Sequence, residues 1–221
     1  MLDVMQTENA HCGDDALISS GGRRRLRETG FTLIELVVVV AIAVTIMAVG
    51  LPNLMRSKMR AEMLGEVSKT QQAFSIARIN AVQGAAPVVV ELRQGPIGWE
   101  FFSWKDTGVT PEVHDAGEPE VGRWSIPDSR FLVEQDPAAA LRLYRLGGSA
   151  TRRGVVFLPS GTGIVNETGS IGIGQGGLRI ADKKGNQFRL LVQAGTGTVI
   201  RQMWDPKNST WDEKSMKHWR Y

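Results

Sequence analysis

The run from Phe31 to Leu51 constrains this chain more than any other segment. It holds 21 residues, and only Thr32, Glu35 and Thr45 among them are polar. Wound as a helix at about 1.5 Å per residue, it spans roughly 31 Å, the thickness of a bilayer's hydrocarbon core. Glu35 is the lone carboxylate inside it. A charge at membrane depth costs roughly 2.5–3.5 kcal/mol on insertion scales, so such a group must be neutralised or paired. Glu35 is therefore a candidate functional residue in need of a partner. The alternative is an isolated Glu that stays protonated or snorkels.

Arg23, Arg24, Arg25 and Arg27 precede the apolar run. Their charge favours a cytoplasmic N-terminus and a translocated C-terminal part, although Arg56, Lys58 and Arg60 on the far side weaken the bias. An ordinary secretory signal is cut after its apolar region, at a small-residue site. Here no such exit site follows the run, and Gly30-Phe31 stands before it. The net charge is +3; the first 30 residues hold four Arg against five acids, which leaves +4 for the remainder. So small an excess does not argue for bulk nucleic-acid binding. Cys12 is the single cysteine, so no disulfide can form within the chain.

Residues 1–30 read as a polar cytoplasmic leader, 31–53 as a transmembrane helix, 54–84 as its amphipathic continuation, and 85–221 as a β-rich globular domain. Gly50 and Pro52 fall where the lipid span ends, and proline removes a helix hydrogen bond, so a kink or local melting is expected there. Met55, Met59, Met63, Val67, Phe74 and Ala77 recur at helical steps, with a break near Thr70, and mark the face packed on the globular domain. Gly84 reads as a C-cap, with Pro87 preventing resumption. Beyond it, Val88–Leu92, Gly98–Trp104, Val121–Ile126, Phe131–Val133, Gly154–Pro159, Leu178–Ala181, Gln187–Val192 and Thr198–Met203 read as strands separated by turn residues. The fold class is α+β, a long N-terminal helix packed on an antiparallel β-sheet domain.

Gly30-Phe31-Thr32-Leu33-Ile34-Glu35 resembles the signal of type IV pilins and type II secretion pseudopilins. That resemblance implies cleavage by a prepilin peptidase between Gly30 and Phe31, and N-methylation of Phe31 by the same enzyme. Glu35 then becomes the fifth mature residue, whose partner is the Phe31 amine of a neighbouring subunit. Pro52 lies at mature position 22, where many pilins carry a proline. Val155-Val156-Phe157-Leu158-Pro159-Ser160-Gly161 and the stretch from Phe188 to Val199 resemble the β domain of minor pilins of the GspH/FimU type. The implied partners are the prepilin peptidase, other major and minor pilins or pseudopilins, and the inner-membrane assembly platform. The implied location is the inner membrane, single-pass, with the C-terminal domain in the periplasm, and later a pilus or pseudopilus.

Other motifs carry little chemistry. Gly172–Gly177 lacks the strand-before, helix-after setting of a dinucleotide loop and reads as a β-turn. Ser160 lacks the glycine two residues before it that a nucleophile elbow needs. His11, His114 and His218 form no ligand cluster. No cofactor is implied, and the sequence argues against an enzyme. The segment from Arg201 to Tyr221 interleaves basic residues with Trp204, Trp211, Trp219 and Tyr221. Lys214, Lys217 and Arg220 there are candidates for DNA contact, with the aromatics stacking on bases. The alternative is that these aromatics cover the edge of the β domain or contact a neighbouring pilin. The expected function is a minor pilin or pseudopilin that primes or caps assembly; the alternatives are DNA uptake and a membrane-anchored periplasmic domain unrelated to filaments.

Overall fold

The computed structural model describes residues 31–213. Among the described residues one α-helix, α1, spans Leu33–Gly84. It is followed by eleven strands: β1 Val88–Gln94, β2 Gly98–Lys105, β3 Glu120–Pro127, β4 Phe131–Gln135, β5 Tyr144–Arg145, β6 Arg153–Phe157, β7 Gly163–Ile164, β8 Gln175–Asp182, β9 Gln187–Gln193, β10 Val199–Asp205 and β11 Thr210–Asp212. The α+β class expected from the sequence holds, and the strands divide into two antiparallel sheets. The first has the order β3-β2-β1-β6-β5, with β7 also paired to β6. The second has the order β11-β10-β9-β8-β4. The chain falls into two compact units, one ending at Ala48 and the other starting at Val49.

The second unit is built on one apolar face of α1. Met63, Val67, Phe74, Ala77 and Ala81 are fully or almost fully buried and share a core with residues of both sheets. Phe74 is central to it, meeting Phe101, Trp124 and Phe157 edge-on at centroid distances of 5.9, 6.3 and 6.4 Å. Thr70 interrupts the apolar spacing, yet it too is buried, because its hydroxyl donates to the Glu66 carbonyl at 2.9 Å and so needs no other partner. Polar side chains tie the same helix to the sheets. Gln71 donates to the Val199 carbonyl at 2.9 Å and Arg78 to the Gly161 carbonyl at 3.2 Å. The uninterrupted valines of β1 are explained by burial on both faces. Val88 and Val90 face the helix core, while Val89 joins a second cluster with Phe102, Trp104, Leu146 and Val156.

α1 stays helical through Gly50 and Pro52, so of the kink or local melting expected there only a kink is compatible with it: a proline deletes a single N–H donor, and helix continues on both sides. Three local expectations need correction. The packed methionine face starts at Met63; Met55 and Met59 are 67% and 39% exposed, and Met59 only lines the wall of a groove with Phe131 and Asp182. The left-handed residue that ends α1 is Ala85, with φ 48°, and Gly84 is the last helical residue. Gly176 and Gly177 lie within β8 instead of a turn. Gly176 is needed for close approach, since a Cβ there would fall on the Val165 carbonyl.

Replacing Phe74 by Ala should leave a cavity at the meeting point of helix and sheets. The expected loss is about 3–5 kcal/mol of unfolding free energy, read by denaturant titration of the second unit's tryptophan fluorescence in detergent. A loss below about 1 kcal/mol would show that the helix is not anchored through this ring.

Candidate functional site

The helix starts on a four-residue motif whose members bond to one another. Thr32 precedes the first helical residue, Leu33, in the N-cap position. Its hydroxyl oxygen accepts the Glu35 N–H at 3.2 Å. In return Glu35 Oε2 accepts the Thr32 N–H at 3.0 Å and the Thr32 hydroxyl at 2.9 Å. This reciprocal pair is a capping box, which satisfies N–H groups that a helix start otherwise leaves unpaired. The sequence already carried its Thr-x-x-Glu signature, so Thr32 was readable as a site residue and was missed. The carboxylate also lies in the first turn, where the helix dipole favours negative charge.

Around this cap, Phe31, Ile34, Glu35, Val38 and Val39 line one shallow hollow of about 280 Å³. Three- and four-residue steps bring these side chains to one helix face. Phe31 is 82% exposed, and every large apolar residue onward to Met55 is exposed as well. The segment is long and apolar enough to cross a membrane, and none of its apolar window is buried. The chemistry available at this site is therefore contact: an uncovered apolar helix with one carboxylate at its head.

Gly30 lies outside the described residues, as do Lys214, Lys217 and Arg220. The described aromatics of the C-terminal segment have structural partners. Trp204 and Trp211 face each other across the β10–β11 pair, with ring centroids 5.1 Å apart. The Arg189 guanidinium lies 4.5 Å from the Trp211 ring centre. Both rings thus cover the outer edge of the second sheet. His114 packs edge-on against Phe102 and Trp104. Ser160 shares a 2.7 Å hydroxyl contact with Thr162 inside a turn.

Carboxylates elsewhere hold loops. In residues 106–118, Glu118 accepts the N–H groups of Thr107 and Gly108, each at 2.7 Å, and Asp115 accepts those of Val109 and Thr110, each at 3.0 Å. Partial burial pushes Asp106 above the usual carboxylate range against the hydrogen bond from the Glu112 N–H, and the charges of Glu118, Glu112 and Asp115 add to the rise. Among the described residues, no three His, Cys, Asp or Glu side chains are grouped to hold a metal.

Residues 25–51 match the family model of the prokaryotic N-terminal methylation motif. The match spans the Gly30–Phe31 junction, the capping box and the apolar run. It supports a pilin-like chain of the kind a prepilin peptidase processes, a structural class and not an enzymatic one. No curated protein and no solved structure matches the chain.

If Thr32 and Glu35 cap α1 together, Thr32→Ala should speed amide exchange at residues 33–36 in detergent micelles by about fivefold, the scale of an N-cap. Exchange at Val67 and Phe74 should not change. Unaltered exchange over the first turn would show that the box does not hold the helix start.

Proposed function

We propose that this chain is a minor pilin or pseudopilin, cleaved between Gly30 and Phe31, N-methylated on Phe31, and used to prime or cap a type IV pilus or type II secretion pseudopilus. The carrying observation is the methylation motif placed on a helix half that the folded chain leaves wholly uncovered. An apolar helix surface of this size is stable in lipid, and it is equally stable against the same surface of another subunit. Exchange of one for the other moves a subunit from membrane to filament with little change in apolar burial. The periplasm is the setting for the β domain in this scheme.

Glu35 gives the exchange its specificity. Both hydrogen bonds of the cap go to Oε2. The carboxylate can therefore keep its cap and still receive the Phe31 ammonium of a neighbour on Oε1. Cleavage creates that ammonium and leaves the Thr32 N–H intact, so the cap persists while the partner appears. The prepilin peptidase, the other filament subunits and the inner-membrane platform are the partners this sequence of events needs.

The neutral substitution Glu35→Gln separates the two roles, because an amide oxygen still accepts from Thr32 but carries no charge. In cells with the assembly system, Glu35→Gln should be inserted and cleaved normally, yet co-purify with neighbouring filament subunits at least about tenfold less well, as expected when a desolvated charge loses its partner. Incorporation equal to wild type would contradict the ion-pair role. A bulky residue at Gly30 should block cleavage while leaving insertion unchanged, read by the size of the membrane-extracted chain.

A further inference from the structure

A groove of about 340 Å³ opens on the second unit between α1 and the β8–β9 turn, with Met59, Glu62, Arg130, Phe131, Lys183 and Lys184 on its walls. A second hollow shares Arg130, Phe131 and Lys183 and adds Leu132, which is 56% exposed. Together they form an apolar lip rimmed by positive charge. Arg130, Lys183 and Lys184 are exposed, and so is Lys58 on the turn of α1 that carries Met59. Arg56 and Arg60 flank it on the same stretch of helix.

The acids on this face are already engaged. Glu62 receives Arg130 at 2.9 Å and Lys58 at 3.9 Å. Asp182 accepts the N–H groups of Lys184 and Asn186, each at 2.8 Å. Asp128 accepts the Gln94 amide at 2.9 Å. Six cations thus stand against three carboxylates, and the face is net positive. Its position along α1 matters as much as its charge. Met59 lies eight residues past Leu51, or roughly 12 Å of helix, and Arg56 roughly 7.5 Å. A headgroup layer adds roughly 5–8 Å beyond the hydrocarbon edge, and screening at physiological salt reaches about 8 Å further.

We propose that this basic, apolar-lipped face docks the β domain on anionic phospholipid headgroups of the membrane that α1 crosses. The proposal rests on α1 crossing a bilayer, and not on the filament reading. The cations meet the headgroup charge, and Met55, roughly 6 Å of helix past Leu51, lies at headgroup depth beside them. Arg56, Lys58 and Arg60, which run against the orientation set by the N-terminal arginines, gain a purpose as part of this contact. Lateral docking keeps the inserted subunit pressed to the membrane until a partner competes for the same helix.

The test uses the full chain with Cys12→Ser and a nitroxide on Ser129→Cys, reconstituted at high lipid-to-protein ratio. One set of vesicles is phosphatidylcholine alone; the other is about one third phosphatidylglycerol. A reference label at Thr110 follows the opposite end of β2, whose Gly98 end pairs with Pro127. In the anionic vesicles the label at residue 129 should lose access to a water-soluble relaxing agent by roughly fivefold, the scale of one basic residue held at an anionic surface, while the Thr110 label should not change. High salt, or Lys183→Glu with Lys184→Glu, should restore access. Equal access in both lipids overturns the proposal. So does protection that tracks protein density and vanishes on dilution with lipid, which would assign the face to a neighbouring subunit. The lipid comparison leaves the face's charges unaltered, so misfolding of a variant cannot mimic the result. A chain that inserts normally but shows lipid-independent access loses this proposal alone; a chain that fails to insert loses the membrane anchor as well.

Discussion

Sixteen large apolar side chains between Phe31 and Met55 remain exposed in the folded chain. Soluble proteins rarely leave contiguous apolar patches beyond roughly 300–600 Å² uncovered. Folding of the β domain cannot relieve it, because the core of the second unit is filled from Met63 onward. The cover must come from outside the subunit. In the proposed function, lipid supplies it in the membrane and helices of other subunits supply it in a filament. Along the chain, one carboxylate stands at the helix start, and the second unit is built on the helix from Met63 onward.

Glu35 is tolerable at that start because it is never alone. Within the chain it closes a capping box with Thr32, so the Thr32 and Glu35 N–H groups are both satisfied. An unpaired carboxylate in lipid would be a liability, whereas a capping carboxylate at the head of the span is a stable waiting state. The proposed cleavage at Gly30 then supplies an amine at the adjacent residue. In the proposed function, processing and assembly are then coupled through one side chain.

Much of this was legible in the residues, for identifiable reasons. The span and its carboxylate stand out because eighteen of the 21 residues from Phe31 to Leu51 are apolar. The strands of the first sheet were legible where β-branched runs are unbroken, as at Val88–Val90. Helical periodicity located the packed face but not where its partner begins, so Met55 and Met59 read as core when they are exposed. The role of Gly176 depends on Val165, a neighbour that only the tertiary fold brings near. The β10–β11 hairpin was obscured by its aromatics, which suggest stacking on bases but instead pack on each other at a tilt; its turn signal lay in Asp205, whose carboxylate accepts from the Lys207 N–H and the Asn208 amide. Thr32 was hidden for a different reason, because attention to the charge of Glu35 concealed its capping geometry.

The coupling of cleavage to assembly is tested most directly by the intact mass of the chain extracted from membranes that contain an active prepilin peptidase. The account predicts a chain that begins at Phe31 and carries one added methyl group on its amine. A chain that still carries the residues before Phe31 under those conditions would contradict it, because the amine that Glu35 is proposed to receive would then never exist.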